Sequence, residues 1–156
     1  MIVFRLARVA FKNDISGRGA ELAGGRWNSK GIPLLYTAES RALSALEIAV
    51  HVQLNVVPED YLMISIELPN LPAHELPVKG LPPLWKSFPG IPETQTIGDR
   101  FCRESKYLAL RVPSAIVEGD YNILINPLHT DFRRVKIISA IPFAFDQRLF
   151  IKQITA

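Results

Sequence analysis

The chain opens on an apolar run, Ile2 to Val9, rich in β-branched and aromatic residues, which predicts a strand. Polar residues and glycines take over across residues 13–31 (NDISGRGAELAGGRWNSKG), which hold more than half of the chain's glycines. Such a stretch can approach a ligand or another backbone closely, because glycine has no side chain to obstruct it. Leu34 to Tyr36 forms a short strand, after which Thr37 is placed to cap a helix with Glu39 in its first turn. From Glu39 to about Leu54 the pattern is helical and apolar nearly all round, the mark of a buried helix. Residues 61–68 (YLMISIEL) alternate as a strand does, with Leu62, Ile64, Ile66 and Leu68 on one face. Residues 69–93 hold seven of the twelve prolines and are excluded from helix and central strand. A loop of that length in a compact domain is functional or wraps the surface. A second helix is expected over Thr94 to Lys106. Further strands are expected at Tyr107 to Val112, Tyr121 to Ile125 and Val135 to Ile141, with a turn at Asn126-Pro127. No repeat, low-complexity tract or linker divides the chain. The pattern therefore predicts one mixed α+β domain over residues 1–156.

Composition narrows the class without naming a function. A chain of 156 residues with 48% hydrophobic and 21% charged residues is an ordinary globular domain rather than a disordered one. Cys102 is the sole cysteine, so an internal disulfide is excluded and a reducing compartment is expected. Residues 1–15 carry Arg5, Arg8 and Lys12 inside the apolar run, unlike a signal peptide. No apolar stretch approaches the roughly 20 residues of a membrane span. A cytoplasmic protein that engages no membrane is the expectation. The net charge of +3 is dispersed, its densest cluster being Arg133-Arg134 with Lys136. Nucleic-acid binders concentrate their cations, so direct nucleic-acid binding is not expected, whereas a mildly basic pocket for an anionic small molecule fits.

Two positions stand out chemically. Leu43, Glu47, Val50 and Leu54 share one helical stripe, and Glu47 is the carboxylate within it. Burying an unpaired carboxylate costs several kcal/mol, roughly, so Glu47 needs either a buried arginine partner or a cleft in which it works. Arg26 lies in Gly24-Gly25-Arg26-Trp27-Asn28, where its planar fork of donors suits a phosphate or a carboxylate. It is equally readable as a loop arginine beside a core tryptophan, and Trp27 either stacks on a base or plugs the core. Tyr36 reads as a half-buried aromatic at the end of its strand. Ser114 has no G-x-S-x-G setting, so a nucleophile elbow is not supported. His51, His74, His129 and Cys102 lack zinc spacing and no H-E-x-x-H occurs, so no metal site is expected. There is no P-loop, and Gly17-Arg18-Gly19 lacks the third glycine and the preceding strand of a Rossmann fingerprint.

Taken together, these positions resemble the RES-domain family, named for its Arg, Glu and Ser. Arg26 in GGRWNSKG, Tyr36 in LLYTAES and Glu47 in RALSALEIAVH match the first half of the family pattern, and Ser114 in RVPSAIV matches its serine. YNILINPLHTDF (Tyr121 to Phe132) resembles the family's late N-P-x-H-x-D-F segment, with Thr130 where a proline is common, and PFAFDQRLF (Pro142 to Phe150) its closing segment. The likeness covers nearly the whole chain.

The resemblance implies a split, mixed β-sheet core similar to ADP-ribosyltransferase toxins, with NAD⁺ as substrate in the cleft. It implies the toxin half of a type II toxin–antitoxin pair, whose antitoxin carries an Xre-type helix-turn-helix domain and occludes that cleft. Family members deplete NAD⁺ by hydrolysis or phosphorolysis, and some transfer ADP-ribose to a protein. On this reading Glu47 stabilises the positive charge developing at the ribose carbon or holds a ribose hydroxyl. Arg26 binds the pyrophosphate or aligns Glu47, Tyr36 stacks on nicotinamide or ribose, and Ser114 hydrogen-bonds the nicotinamide amide or the ribose. Trp27 and Asn28 complete the NAD⁺-binding set. Two rivals are a nucleic-acid-acting toxin and a non-catalytic interaction module in which Glu47 and Arg26 are simply paired in the core.

Overall fold

The computed structural model describes residues 1–53 and 55–151. Among the described residues seven strands form one sheet: β1 (Ile2–Arg8), β2 (Leu35–Ala38), β3 (Tyr61–Glu67), β4 (His74–Glu75), β5 (Ala109–Pro113), β6 (Tyr121–Ile125) and β7 (Lys136–Phe143). The order across the sheet is β4-β5-β6-β2-β1-β3-β7. Among the described residues only β4 and β5 run parallel, so the sheet is mixed. Among the described residues three α-helices accompany it: α1 (Arg18–Ala23), α2 (Arg41–Ala49) and α3 (Pro92–Glu104).

The pairing divides the sheet into two halves. β1 pairs along its whole length with β3, from Ile2 opposite Glu67 to Arg8 opposite Tyr61, and β3 pairs in turn with β7. On the other side β2, β6 and β5 pair continuously. Between the halves, β1 and β2 share the single register pair Phe4 and Ala38. The halves part on either side of that point, and this is the split the resemblance implied.

Alternation along the strands explains the packing. Val3 and Ala7 of β1, Leu62, Ile64 and Ile66 of β3, and Ile123 and Ile125 of β6 belong to one core that draws on both halves. The opposite side chains feed two smaller cores. Leu110, Val112 and Leu124 pack with Phe101 and Cys102 of α3 and with Trp27 and Trp85. Leu6 and Met63 pack with Phe145 and Phe150, against which Ala45 and Ile48 of α2 settle. The closing segment is thereby an aromatic seal: Phe145 meets Phe143 and Phe150 edge-on at 5.0 and 5.3 Å between ring centroids.

Several expectations are corrected. The helix expected from Glu39 to Leu54 ends at Ala49, and only Leu43 and Ser44 of it are buried. Val50 is 54% exposed, so the stripe through Leu43, Glu47 and Val50 runs from core to solvent, while Leu54 lies outside the described residues. The physical reason is placement: α2 leans on the β1 side of the seam, and its other flank borders an open cleft. The cap is Ser40, whose Oγ accepts the Leu43 N–H at 3.1 Å. Thr37 stays in β2 and donates its hydroxyl to the Ile123 carbonyl at 2.6 Å. Pro92 begins α3 two residues before Thr94, at the N-terminal turn where a missing N–H costs nothing. Ser105, in the left-handed region at φ 47, stops the helix before Lys106. The glycine-rich stretch contains α1, and the proline-rich stretch contributes β4 at the sheet edge, positions where proline neighbours are tolerated.

Candidate active site

A cavity of about 800 Å³ opens at the seam between the sheet halves. That lies within the range of ligand-binding clefts, roughly 300–1,000 Å³. β1 lends it Phe4 and Arg5, β2 lends Tyr36 and Ala38, and α2 lends Ser44 and Glu47. Further walls come from α1, the 24–27 loop, the strap 86–90, Gln95 of α3, the segment 113–116 and the start of the β6 strand.

Glu47 is half-buried and faces this cavity. Its Oε1 accepts a hydrogen bond of 2.6 Å from Nδ2 of Asn122, the second residue of β6. Among the described residues no cation closes on Glu47 as a salt bridge. A carboxylate held by a neutral amide keeps its full negative charge available to a ligand. Glu47 is therefore not one partner of a core ion pair, which removes the basis of the interaction-module reading.

Arg26 also lines the cavity, at the tip of a tight turn closed by the Gly25 N–H on the Asn28 carbonyl at 2.9 Å. Its Nη1 donates to the Trp85 and Ser87 carbonyls at 2.5 and 2.8 Å. Among the described residues its Nε and Nη2 carry no hydrogen bond, so two nitrogens of the fork, with three N–H donors, remain for an anion. Burial lowers the Arg26 pKa, and the nearby charge of Glu47 pulls it back up, so the two residues feel one another across the cavity.

Tyr36 forms the cavity wall between them. Its hydroxyl donates to Asn28 Oδ1 at 2.7 Å and accepts the Trp27 N–H at 3.0 Å. Burial pushes the phenol well above its ordinary range, so it stays neutral. The packing at this point admits nothing larger than glycine: a Cβ on Gly25 would lie 2.6 Å from the Tyr36 hydroxyl.

Three of the expected ligand contacts, Asn28, Trp27 and Ser114, are buried and engaged within the protein. Asn28 is fully buried, and its Nδ2 donates to the carbonyls of Ala20, Ser29 and Ile32 while its Oδ1 holds Tyr36. Both of its N–H hydrogens are therefore engaged within the protein. The Trp27 indole is 3% exposed and packs against Trp85 with centroids 6.3 Å apart, so it plugs the core rather than stacking on a base. Ser114 is buried after β5, and its Oγ accepts the Ile116 and Val117 N–H groups at 3.1 Å each. Its neighbours Pro113, Ala115 and Ile116 reach the cavity, but the serine itself tightens the turn. The late motif is scaffold too: buried Asn126 ties the β6 end to the Cys102 carbonyl of α3 at 3.0 Å.

Helix α3 fixes the Arg26 loop from behind. Gln95 donates to the Gly25 carbonyl at 3.0 Å, Asp99 accepts the Ser29 N–H at 2.8 Å, and Cys102 approaches the Pro33 carbonyl at 3.7 Å. These residues and Gly98 recur at helical spacing on one face. Gly98 lies so close that a Cβ there would overlap the Trp27 carbonyl. Burial and the charge of Asp99 push the Cys102 thiol up to about 12, so it is an unreactive neutral group.

Asn122 escaped sequence reasoning. Its only signal was an amide inside a run of strand formers, YNILI, and its partner lies 75 residues away. Among the described residues no group of three or more His, Cys, Asp or Glu side chains gathers as metal ligands do.

Fold and site together define an α+β domain whose split sheet exposes a carboxylate and an arginine to one cavity. The chain belongs to the RES-domain family, whose model matches residues 2–146. It is 35% identical over 149 residues to the Prs ADP-ribosylating toxin of Sphingobium sp. (strain YBL2), covering 94% of this chain and 92% of that protein. It is 36% identical to Toxin Res of Photorhabdus laumondii subsp. laumondii, covering 96% and 97%, and 37% identical to Toxin Res of Pseudomonas putida, covering 96% and 100%. The fold is similar to a chain in the crystal structure of the M. tuberculosis MbcT–MbcA toxin–antitoxin complex. The TM-score is 0.75 at 18% identity, over 96% of this chain and 86% of that one. The seven-stranded mixed sheet and this neighbour agree with an ADP-ribosyltransferase-like fold. Among the described residues no helix is long and apolar enough to cross a membrane.

Proposed function

We propose that this protein is the toxin of a toxin–antitoxin pair and that it cleaves the nicotinamide–ribose bond of NAD⁺ in the seam cavity. The observation that carries this reading is Glu47, held by the neutral Asn122 amide and facing the same cavity as Arg26. As the bond breaks, its electron pair leaves with the nicotinamide nitrogen, which becomes neutral, and positive charge grows at the ribose carbon. A fixed carboxylate stabilises that charge more in the transition state than in the bound substrate, which is the condition for acceleration. The free donors of Arg26 suit the pyrophosphate, and the Tyr36 ring limits the motion of the reacting end. An acceptor oxygen or nitrogen then bonds to the ribose carbon and gives up its proton.

Free NAD⁺ breakdown by water or phosphate is the first reading. Transfer of ADP-ribose to a protein is the second, favoured by the name of the Sphingobium relative. The MbcT–MbcA complex supports a protein antitoxin as partner, and an Xre-type helix-turn-helix protein that covers the cleft is the form expected here. The experiment is nicotinamide release from NAD⁺ by the purified protein, with and without phosphate, and mass spectrometry of the sugar product. Release of nicotinamide with ADP-ribose or its 1″-phosphate is expected. An intact NAD⁺ pool, with and without candidate acceptor proteins, would refute the proposal.

A further inference from the structure

The mouth of the cavity carries an aromatic ring with no structural employment. Phe88 is 80% exposed, yet it lines the cavity together with Lys86 and His51. Its ring stands 5.8 Å from the His51 ring, tilted by 48°, so the two rings do not pack flat together. The strap that bears Phe88 is not loose: Arg26 holds the carbonyls of Trp85 and Ser87 on it, and the Trp85 ring is anchored against Trp27 in the core. Phe88 is thus a fixed apolar surface presented to solvent at the edge of a polar cleft. The ring expected to stack on a base, Trp27, is buried, and the Tyr36 ring, tethered through its hydroxyl to Asn28 and Trp27, forms the cavity wall rather than its mouth.

We infer that Phe88, with His51 beside it, is the stacking face for the nicotinamide ring, an inference that rests on the NAD⁺ reading above. Charge, together with the shared cavity, selects that ring over adenine. His51 lies in the turn just beyond the end of α2, four residues after Glu47, and the carboxylate, the imidazole and the Phe88 ring all line the one cavity. The nicotinamide is bonded directly to the reacting ribose carbon, whereas the adenine lies beyond a pyrophosphate and a second ribose. A cationic pyridinium ring is attracted to an aromatic face, and the neutral nicotinamide that leaves is attracted less. Phe88 therefore recognises the substrate and lets the product go.

The test compares Phe88→Ala, Phe88→Leu and Phe88→Trp with the unaltered protein. Phe88 is exposed, so each variant should fold, which a thermal melt checks. KM for NAD⁺ is measured kinetically, and equilibrium binding of nicotinamide mononucleotide and of ADP-ribose by calorimetric titration. For Phe88→Ala, KM and the affinity for nicotinamide mononucleotide should weaken about tenfold, the scale of base–aromatic stacking, with kcat little changed. Phe88→Leu should weaken both similarly, Phe88→Trp should restore them, and ADP-ribose binding should be unaltered. Unchanged NAD⁺ affinity in Phe88→Ala, or weakening confined to ADP-ribose, would overturn the clamp while leaving the NAD⁺ reading intact. An unaltered protein that neither binds nor consumes NAD⁺ would overturn both.

Discussion

Asn122 illustrates how much at this site depends on the kind of hydrogen bond, not only its presence. An arginine in its place would neutralise Glu47, while the amide orients the carboxylate and leaves its charge intact. Asn122→Asp keeps the shape and sets a second carboxylate against the first. Two carboxylates sharing a site cannot both ionise easily, so one holds its proton to higher pH. The variant should lose NAD⁺ turnover at neutral pH and recover part of it as pH rises, moving the acid limb of the rate profile upward. A profile that overlays the unaltered protein's would show that Asn122 does not govern Glu47. The residue scale also separates what was legible from what was not. Glu47 was conspicuous because a charge in an apolar stripe needs an explanation. The backbone partners of Asn28 and Ser114 were not legible, because a polar residue in a motif looks the same from the sequence whether it meets a ligand or the backbone.

At the scale of elements, the site is as precise as the contact between α3 and the Arg26 loop. Gln95, Gly98, Asp99 and Cys102 form the face that holds this loop, and Gly98 permits the approach. Gly98→Ala should destabilise the fold by about 1–3 kcal/mol, the usual cost of overpacking, despite the better helix propensity of alanine. Thermal or urea unfolding measures this. An equal or higher stability would show that the loop can shift at no cost. Elements with local boundary signals were legible in advance: β6 runs from Tyr121 to Ile125 between Asp120 and the Asn126-Pro127 turn, as its sequence requires. α2 was overextended because Val50 continues its apolar pattern past the point where tertiary contacts end. α1 spans six residues among glycines, too short to show a period. β4 exists only through its parallel pairing with β5, which no local pattern encodes.

At the scale of the whole molecule, function follows from an imperfect sheet. Two well-paired halves share one core, yet β1 and β2 meet only at Phe4 and Ala38, and the cavity occupies the gap that results. Arg26, Tyr36, Glu47 and Asn122 reach it from a loop, two strands and a helix, so no contiguous motif could have revealed the site. The expectation of a split sheet came from resemblance; the seam that creates it is a matter of register. The most direct test of the account is the rate of nicotinamide release from NAD⁺ by Glu47→Gln beside the unaltered protein. The amide oxygen introduced by this substitution can still accept the Asn122 hydrogen bond. The melting temperature should therefore hold while the rate falls by about 100-fold or more, the scale of losing one preorganised electrostatic group. A variant that released nicotinamide at the original rate would contradict the central claim.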